Sequence, residues 1–142
     1  MNFKFIGGQT VVELLVALGI ASLVIFAIVS AAITSLSNVT FSRQQAQANR
    51  RAQEAMEWLR QERDSDWKVF VEKAGPKYCL NTFAWNLPAE CEKIPGTELI
   101  REAVMSLVSS DEVEAAVTVT WQDAKGNHEV KLNSNFTNWR KE

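Results

Sequence analysis

The residues that most clearly point to chemistry lie at the start of the chain, where a carboxylate borders a long apolar run. Glu13 stands directly before residues 14–33, a segment without any charged residue. Lys4 and the pair Gly7-Gly8 precede it. A carboxylate at the edge of a membrane helix costs free energy, and it indicates a functional group with a partner. The alternative, an interfacial side chain that reaches headgroup water, stays open on this residue alone.

Two cysteines, Cys79 and Cys91, form a second candidate pair in the polar part of the chain. An even number of cysteines in a small domain outside the cytoplasm favours a disulfide. Closing a loop of this length would stabilise the fold by roughly 3 kcal/mol in the chain-entropy model. The alternative is a pair of reduced, partly buried thiols.

The remaining polar groups do not form a catalytic or metal-binding motif in the sequence. His128 is the only histidine and stands beside a predicted hairpin turn, where we expect a solvated side chain. The segment Asp64-Ser65-Asp66 lacks the acidic residue and the glycine that follow in a calcium loop. Cys79 and Cys91 are too far apart for a paired-thiolate zinc knuckle, and neither a glycine-rich phosphate loop nor a nucleophile elbow occurs. We therefore expect no enzyme, no cofactor and no metal site.

The apolar run is long enough to cross a membrane. At about 1.5 Å rise per residue, its length matches the roughly 30 Å hydrocarbon layer. An ordinary secretory signal has basic residues before its apolar run and a small-x-small cleavage site after it. Here the Gly7-Gly8 pair and Glu13 both come before the run. Residues 31–37, AAITSLS, contain a possible signal-peptidase site, and this alternative stays open.

This order of features resembles the prepilin leader of type IV pilins and type II secretion pseudopilins. In that family a short basic leader ends in glycine and is cleaved on the cytoplasmic face, the new N-terminal residue is N-methylated, and a glutamate stands fifth in the mature chain. Cleavage after Gly8 makes Gln9 the first residue and Glu13 the fifth, whereas cleavage after Gly7 makes Glu13 the sixth. The resemblance thus implies cleavage between Gly8 and Gln9, methylation of Gln9 and a role for Glu13 in assembly. Gln9 departs from the family, which usually begins with phenylalanine or another apolar residue.

The resemblance also implies partners and a location. The partners are other pilin or pseudopilin subunits, prepilin peptidase, an inner-membrane platform protein and, indirectly, a cytoplasmic assembly ATPase. The location is the cytoplasmic membrane, with a single pass and an extracytoplasmic C-terminal head, followed by a pilus, a pseudopilus or the cell surface. A positive-inside count opposes this orientation, because only Lys4 precedes the span while Arg43, Arg50 and Arg51 follow it. We follow the prepilin pattern because the cysteine pair agrees with it.

In a bundle of parallel helices, Glu13 needs a cation, and the nearest candidate is the new α-amino group of Gln9 on a neighbouring subunit. Opposite charges about 4 Å apart gain several kcal/mol at an effective dielectric near 20, less their desolvation cost. The pair would therefore determine the axial alignment of neighbouring helices more than it would stabilise the bundle. Small residues at small-xxx-small spacing permit close helix approach, although they are also ordinary in bilayer helices: Ala17 and Ala21, then Ala27 and Ala31.

A helical stalk is predicted to follow, because neither proline nor glycine occurs between Ala21 and Lys73. Residues 42–63 are rich in strong helix formers. Apolar residues recur there at three- and four-residue intervals, which is typical of a helix with one buried face: Ala48, Ala52, Ala55, Met56 and Leu59. Asp64-Ser65-Asp66 ends or restarts the helix, and residues 66–74 form a short helix or turn that stops at Gly75-Pro76.

The remainder predicts short strands and loops. We expect strands at Lys77 to Leu80 and at Thr82 to Asn86, and we favour a strand over a helix for residues 98–108. A solvated loop is expected at Asp111, Glu112 and Glu114. The five tryptophans indicate core and interface positions rather than a ligand platform.

The clearest strand signal is a hairpin near the C-terminus. Val117, Val119 and Trp121 alternate with threonines, a turn spans Asp123 to Asn127, and the return strand ends near Trp139. This hairpin is similar to the C-terminal part of minor pilins and minor pseudopilins.

The predicted fold class is α+β, with a long N-terminal helix packed on a small antiparallel sheet. The helix is transmembrane in its first half and amphipathic in its second. We divide the chain into a leader (1–8), a transmembrane and assembly helix (9–37), an amphipathic stalk (38–64) and a globular head (65–142). The net charge of −2, from 15 basic and 17 acidic residues, offers no basic surplus for nucleic acid.

These features predict a structural subunit, a minor pilin or pseudopilin, of a type IV pilus or a type II secretion-like filament. The rival is a single-pass anchored binding module outside the cytoplasm that does not polymerise. An anchored enzyme is disfavoured by the missing site. The spacing of Gly8 and Glu13 distinguishes the filament subunit from the anchored binding module, since a membrane anchor needs neither residue.

Overall fold

The structure is a computed structural model that describes the backbone of residues 7–87 and 90–139, with side chains from Thr10 onward. Its first element is a long helix, α1 (Gly7–Ser65), followed by a short helix, α2 (Trp67–Glu72). The chain forms two compact units, one extending to Arg43 and the other beginning at Gln44. The boundary therefore lies within α1.

In the second unit, α1 packs on the sheet through the apolar stripe that the sequence predicts. Ala48, Ala52, Ala55 and Leu59 are completely buried, and Met56 is 5% exposed. Three of these five side chains are methyl groups, so the helix backbone can lie close to the strands beneath it. The amphipathic pattern is confirmed, and it fixes which face of α1 meets the head.

A side-chain cap separates the two helices. Helix α1 ends at Ser65, and Asp66 has extended backbone angles (φ −154°, ψ 108°). The Asp66 carboxylate accepts a hydrogen bond from the backbone N–H of Val69 at 3.1 Å, the usual way of satisfying a free N–H group at a helix start. Phe70 of α2 is buried, and Gly75 follows with φ +111°. The predicted restart of the helix and its stop at glycine are confirmed.

Four strands form one antiparallel sheet in chain order: β1 (Lys77–Cys79), β2 (Ile100–Ser109), β3 (Glu112–Asp123) and β4 (Gly126–Thr137). The β3–β4 pair keeps one register along its whole length, from Glu112↔Thr137 to Asp123↔Gly126. Gly126 has φ +128°, a backbone conformation that glycine adopts without steric cost, and it closes the turn. The predicted hairpin is confirmed, with a tighter turn than the sequence suggested.

One face of the sheet supplies most of the core of the second unit. Val117, Val119 and Trp121 are buried, whereas Thr118 and Thr120 between them are partly exposed on the other face. The same alternation buries further side chains of the neighbouring strands: Ala103, Met105, Val113, Ala115, Val130 and Phe136. The α+β class, a long helix on an antiparallel sheet, is thereby confirmed, as is the strand within residues 98–108.

Two local predictions are wrong. Residues 82–86 form bends rather than a strand, and only Asn86 makes a bridge, to Cys79. A disulfide closes this loop, and its aromatic side chains pack onto α1, so its backbone cannot extend along the sheet. Glu112 and Glu114 lie on β3 rather than in a loop, because the β2–β3 pairing continues to Ser109↔Glu112.

Candidate functional site: the N-terminal segment and the disulfide loop

The first part of α1 has apolar side chains on all sides, and every side chain from Thr10 to Leu36 is exposed. Leu23 and Phe26 are 73% and 76% exposed. Within the part of the chain that the structure describes, α1 is the one helix long and apolar enough to cross a membrane. A helix that is hydrophobic all round needs an apolar environment, either a bilayer or other protein.

Several hydroxyl groups of this helix have partners within the helix itself. Ser22 Oγ donates to the carbonyl oxygen of Leu18 at 2.7 Å, and Thr34 Oγ1 donates to that of Ser30 at 3.0 Å. Such bonds to the preceding turn satisfy the hydroxyls without water. These polar residues are therefore compatible with a lipid or protein environment.

Glu13 lies in the first part of α1, where its side chain is exposed. Among the residues that the structure describes, it forms no ion pair. The Gly8–Gln9 bond falls in the first turn of α1, which begins at Gly7. The side chain of Gln9 and the predicted leader residues 1–6 lie outside the described residues. Gln9 and Glu13 are four positions apart, so one helix face carries both.

Cys79 and Cys91 form the disulfide that the sequence predicts, with their Cα atoms 5.2 Å apart. Cys79 is the last residue of β1 and is 2% exposed. The bond closes a loop between β1 and β2, of which residues 88 and 89 lie outside the described part. The loop starts from the sheet and carries two aromatic side chains, Phe83 and Trp85, toward α1.

An aromatic cluster holds this loop against the helix. The Trp58 ring of α1 lies 4.7 Å from the Trp85 ring and 6.0 Å from the Phe83 ring, measured between centroids. Tyr78 packs edge-on against Trp85 at 4.9 Å, and its burial raises the pKa of its hydroxyl. Trp85 Nε1 donates a hydrogen bond to Glu62 Oε2 at 2.9 Å. The helix and the loop are thus joined by packing and by one hydrogen bond to a charged group.

Beneath the loop lies a buried arginine that the sequence analysis did not identify. Arg101 of β2 is 2% exposed. Its Nε donates to the carbonyl oxygen of Leu80 at 2.9 Å, and its Nη1 donates to that of Arg51 at 3.0 Å. The guanidinium lies 4.5 Å from the centre of the Phe83 ring. This one side chain therefore connects the sheet, the disulfide loop and α1.

The electrostatics of Arg101 reflect its burial. Desolvation lowers the pKa of its guanidinium to about 10, against the favourable charge of Glu54, whose Oε2 lies 3.9 Å away. The pKa of Glu54 is in turn lowered, chiefly by its hydrogen bond from Arg51 at 2.8 Å. In β2, Arg101 lies on the same side as Ala103, as the alternation of residues along a strand requires. Only the three-dimensional structure shows that this side faces the core.

His128 is half-buried and paired, rather than solvated as expected. Its Nε2 lies 2.8 Å from Asp123 Oδ1, and its ring lies 5.4 Å from that of Trp121, its partner on β3. This hydrogen bond is the main reason why the pKa of Asp123 is lowered. The short turn between β3 and β4 brings the two groups together. Their contact links β3 and β4 beside the turn of the hairpin.

Asp64 and Asp66 have structural partners. Asp66 caps α2, while Asp64 Oδ1 accepts a hydrogen bond from Trp139 Nε1 at 3.1 Å and pairs with Arg63 at 2.8 Å. In the described ranges, no group of three or more His, Cys, Asp or Glu residues is placed to hold a metal ion. An open cleft of about 770 Å³ lies beside these residues and reaches Trp67.

Comparison with known proteins adds no relative. No protein-family model, characterised protein or solved structure matches the chain. The features that bear on function are therefore those of the chain itself: the N-terminal register, the exposed apolar helix and the head that follows it.

Proposed function

We propose that this protein is a structural subunit, a minor pilin or pseudopilin, of a type IV pilus or a type II secretion-like filament. Prepilin peptidase would remove residues 1–8, and the subunit would assemble through α1. The observation that carries the proposal is the Gly8–Glu13 register at the start of an apolar helix that continues into a folded head.

The environment of α1 supports assembly. Its apolar side chains are exposed on every side, so they need lipid before assembly and other helices afterwards. Lipid tails are as apolar as the side chains, so the exchange is driven by close packing and polar contacts rather than by the hydrophobic effect. A filament of parallel helices provides both kinds of contact.

Glu13 supplies the polar contact. Its carboxylate lies next to residues 14–33, which contain no charge to pair with it. Leader removal would create a positive α-amino group on Gln9, four residues earlier. In a bundle of staggered parallel copies, the amino group of one copy meets the Glu13 of another. Each charge then has a partner, and the pair fixes the axial register.

The head agrees with an extracytoplasmic location, which the proposal requires. Cys79 and Cys91 are bonded, and disulfides persist mainly in oxidising compartments. The disulfide loop covers part of α1 through Trp58 and Trp85. The rigid head would then stand outside the membrane on the second half of the helix.

A second candidate function is that of an anchored binding module. The cleft beside Asp64 has the size of a small-molecule site, about 770 Å³, and the exposed ring of Trp139 lines it. Such a protein needs a membrane helix but needs neither Gly8 nor Glu13. The two candidates therefore differ in what a change at Glu13 does.

The test is Glu13→Val in the full-length chain, with Thr34→Val as the matched control. Thr34→Val also removes a polar group from α1, but that hydroxyl bonds only within its own helix. We expect both variants to enter membranes normally and only Glu13→Val to lose incorporation into filaments with wild-type subunits. Equal incorporation of the two variants would contradict the assembly role of Glu13 and leave the anchored module as the better account.

A further inference from the structure

Strand β4 is the last strand of the sheet, and its outer edge is long and regular. Its 12 residues pair with β3 in a single register and include no proline. Just beyond the last pair, the backbone N–H of Asn138 donates to the carbonyl oxygen of Asp111 at 3.0 Å, so the even-numbered residues of β4 bond to β3. The odd-numbered residues then direct their N–H and C=O groups outward, because bonding alternates along an antiparallel strand. Within the described ranges no other segment pairs with this edge, and such an edge is a template for another strand.

Two opposite charges lie on this edge. Glu129 and Lys131 are two positions apart, so their exposed side chains project from the same, outward face of β4. Their partners on β3 are the uncharged Thr120 and Thr118. Among the residues that the structure describes, neither Glu129 nor Lys131 forms an ion pair. The edge is therefore complemented by a strand that carries the same two charges in the reverse order.

A second copy of β4 has this reverse order when it lies antiparallel to the first. If the pairing is centred on Val130, Glu129 of each copy lies opposite Lys131 of the other, which is a favourable cross-strand pair. This alignment also places odd-numbered residues opposite odd-numbered residues, so their outward N–H and C=O groups can bond to each other. Moving the centre to Glu129 or to Lys131 would place like charges opposite each other. The charges thus select the alignment centred on Val130.

We propose that the outer edge of β4 pairs antiparallel with the same edge of a second copy of this chain, centred on Val130. On the face of the sheet that α1 covers, Val130 then meets Val130 of the second copy, and Leu132 meets its His128. The same surface is used by both copies, so the contact closes with two copies. The inference goes beyond the proposed function and applies equally to a filament subunit and to an anchored binding module.

The symmetry of this contact determines the orientation of the two copies. Its twofold axis is perpendicular to the sheet, so both copies carry α1 on the same face of the joined sheet. The axis reverses every direction within the plane of the sheet. Residues 44–65 of α1, which belong to the second compact unit, therefore run in opposite directions in the two copies. Copies inserted side by side in one membrane point the same way, so the contact joins copies from two membranes or filaments that face each other.

The contact is small, because the overlap comprises only residues 126–134 of each copy. A surface of this size is too small to hold two free molecules together. Two facing membranes carry many copies, and the first contact raises the effective concentration for the next. The test therefore uses the full-length chain in vesicles rather than in dilute solution.

The experiment introduces Val130→Cys into the full-length chain, whose two native cysteines are bonded to each other. In the proposed pairing the two Val130 residues form a non-hydrogen-bonded pair with Cα atoms about 4.5 Å apart, which a disulfide can bridge. Two vesicle populations that carry chains of different mass are mixed and mildly oxidised, and we expect disulfide-linked dimers between the populations. Ser134→Cys, on the same side of β4 but far from its own counterpart, is the matched control and should not crosslink. Crosslinks from Ser134 in place of Val130, or from neither position, would refute the pairing.

Charge exchange tests the alignment independently. Lys131→Glu or Glu129→Lys, each combined with Val130→Cys in both vesicle populations, should lower the crosslink about tenfold, which corresponds to about 1.4 kcal/mol. Vesicles with Lys131→Glu mixed with vesicles with Glu129→Lys should recover it, because every glutamate then lies opposite a lysine. Tryptophan fluorescence verifies that each variant is folded. Failure of the mixture to recover would overturn the pairing, and crosslinks confined to chains of one vesicle population would overturn the orientation.

Discussion

Replacement of Arg101 by methionine tests how the head is held together. Methionine fills a similar volume without any donor, so the carbonyl groups of Leu80 and Arg51 lose the hydrogen bonds that Arg101 gives them. The Arg51 carbonyl lies inside α1 and keeps its intrahelical bond from the N–H four residues later, so only the buried carbonyl of Leu80 is left without a donor, which costs about 1–3 kcal/mol.

The change also has a favourable part. Burial lowers the pKa of Arg101 to about 10, so methionine avoids part of the cost of keeping a charged group away from water. Glu54 keeps its partner Arg51 at 2.8 Å and is not left as an isolated charge. Because the lost donor and the lost contact between the guanidinium and the Phe83 ring outweigh this relief, we expect the free energy of unfolding to fall by about 1–2 kcal/mol.

Guanidinium titration of the full-length chain in detergent micelles, followed by tryptophan fluorescence, measures this loss. The signal reports on the second compact unit, because all five tryptophans come after Gln44. Arg60→Met is the matched control, since Arg60 is half exposed and pairs with Glu57 on the surface, and we expect it to change stability by less than about 0.5 kcal/mol. If Arg101→Met proves as stable as Arg60→Met, the buried arginine does not connect the loop to the helix as argued.

Three further predictions concern the same unit. Replacing Cys79 and Cys91 together by serine should lower the free energy of unfolding by about 3 kcal/mol in the same titration, and no loss would mean that the bond does not constrain the unfolded chain. Ala52→Leu should cost about 1–3 kcal/mol because Ala52 is fully buried against the sheet, whereas the exposed control Ala46→Leu should be neutral; equal effects would contradict the helix face assigned here. The pKa of Glu54 is below its usual 4.5, so its stabilising effect is complete above pH 4.5 and is lost as the pH falls through the lowered value. Glu54→Gln should therefore make the free energy of unfolding depend less on pH in the acid range. An unchanged slope would argue against the ion pairs of Glu54.

Much of the architecture could be predicted from local patterns. The stripe of Ala48, Ala52 and Leu59 has the helical period, and the structure buries it. The alternation of Val117, Val119 and Trp121 has the strand period, and the structure buries those residues too. Both patterns reflect which residues lie on the same face of a helix or a strand. The type of secondary structure alone determines which residues those are.

The parts that were missed depend on contacts between segments far apart in the chain. Thr82 to Asn86 has strand-forming residues, but the disulfide and the packing of Trp85 on Trp58 bend its backbone away from the sheet. Arg101 belongs to a face that the alternation identifies, yet its burial requires carbonyl groups from two other segments. Nothing in the local sequence indicates those partners.

The residues that we propose to act in processing and assembly can, in contrast, be recognised from the sequence. Gly8, Gln9 and Glu13 are linear features, and their spacing can be read directly from the sequence. The structure adds that this spacing lies at the start of a helix with exposed apolar sides.

The central claim is that the chain is processed as a prepilin, and the mass of its N-terminal peptide tests this most directly. The full-length protein should be extracted from membranes of cells that contain prepilin peptidase, digested and measured by mass spectrometry. A Gly8→Val variant, whose cleavage should be blocked, provides the reference for the unprocessed form. We predict a mature chain that begins at Gln9, with or without one methyl group on its amino nitrogen. An N-terminus at Met1 in the unmodified protein would contradict the account.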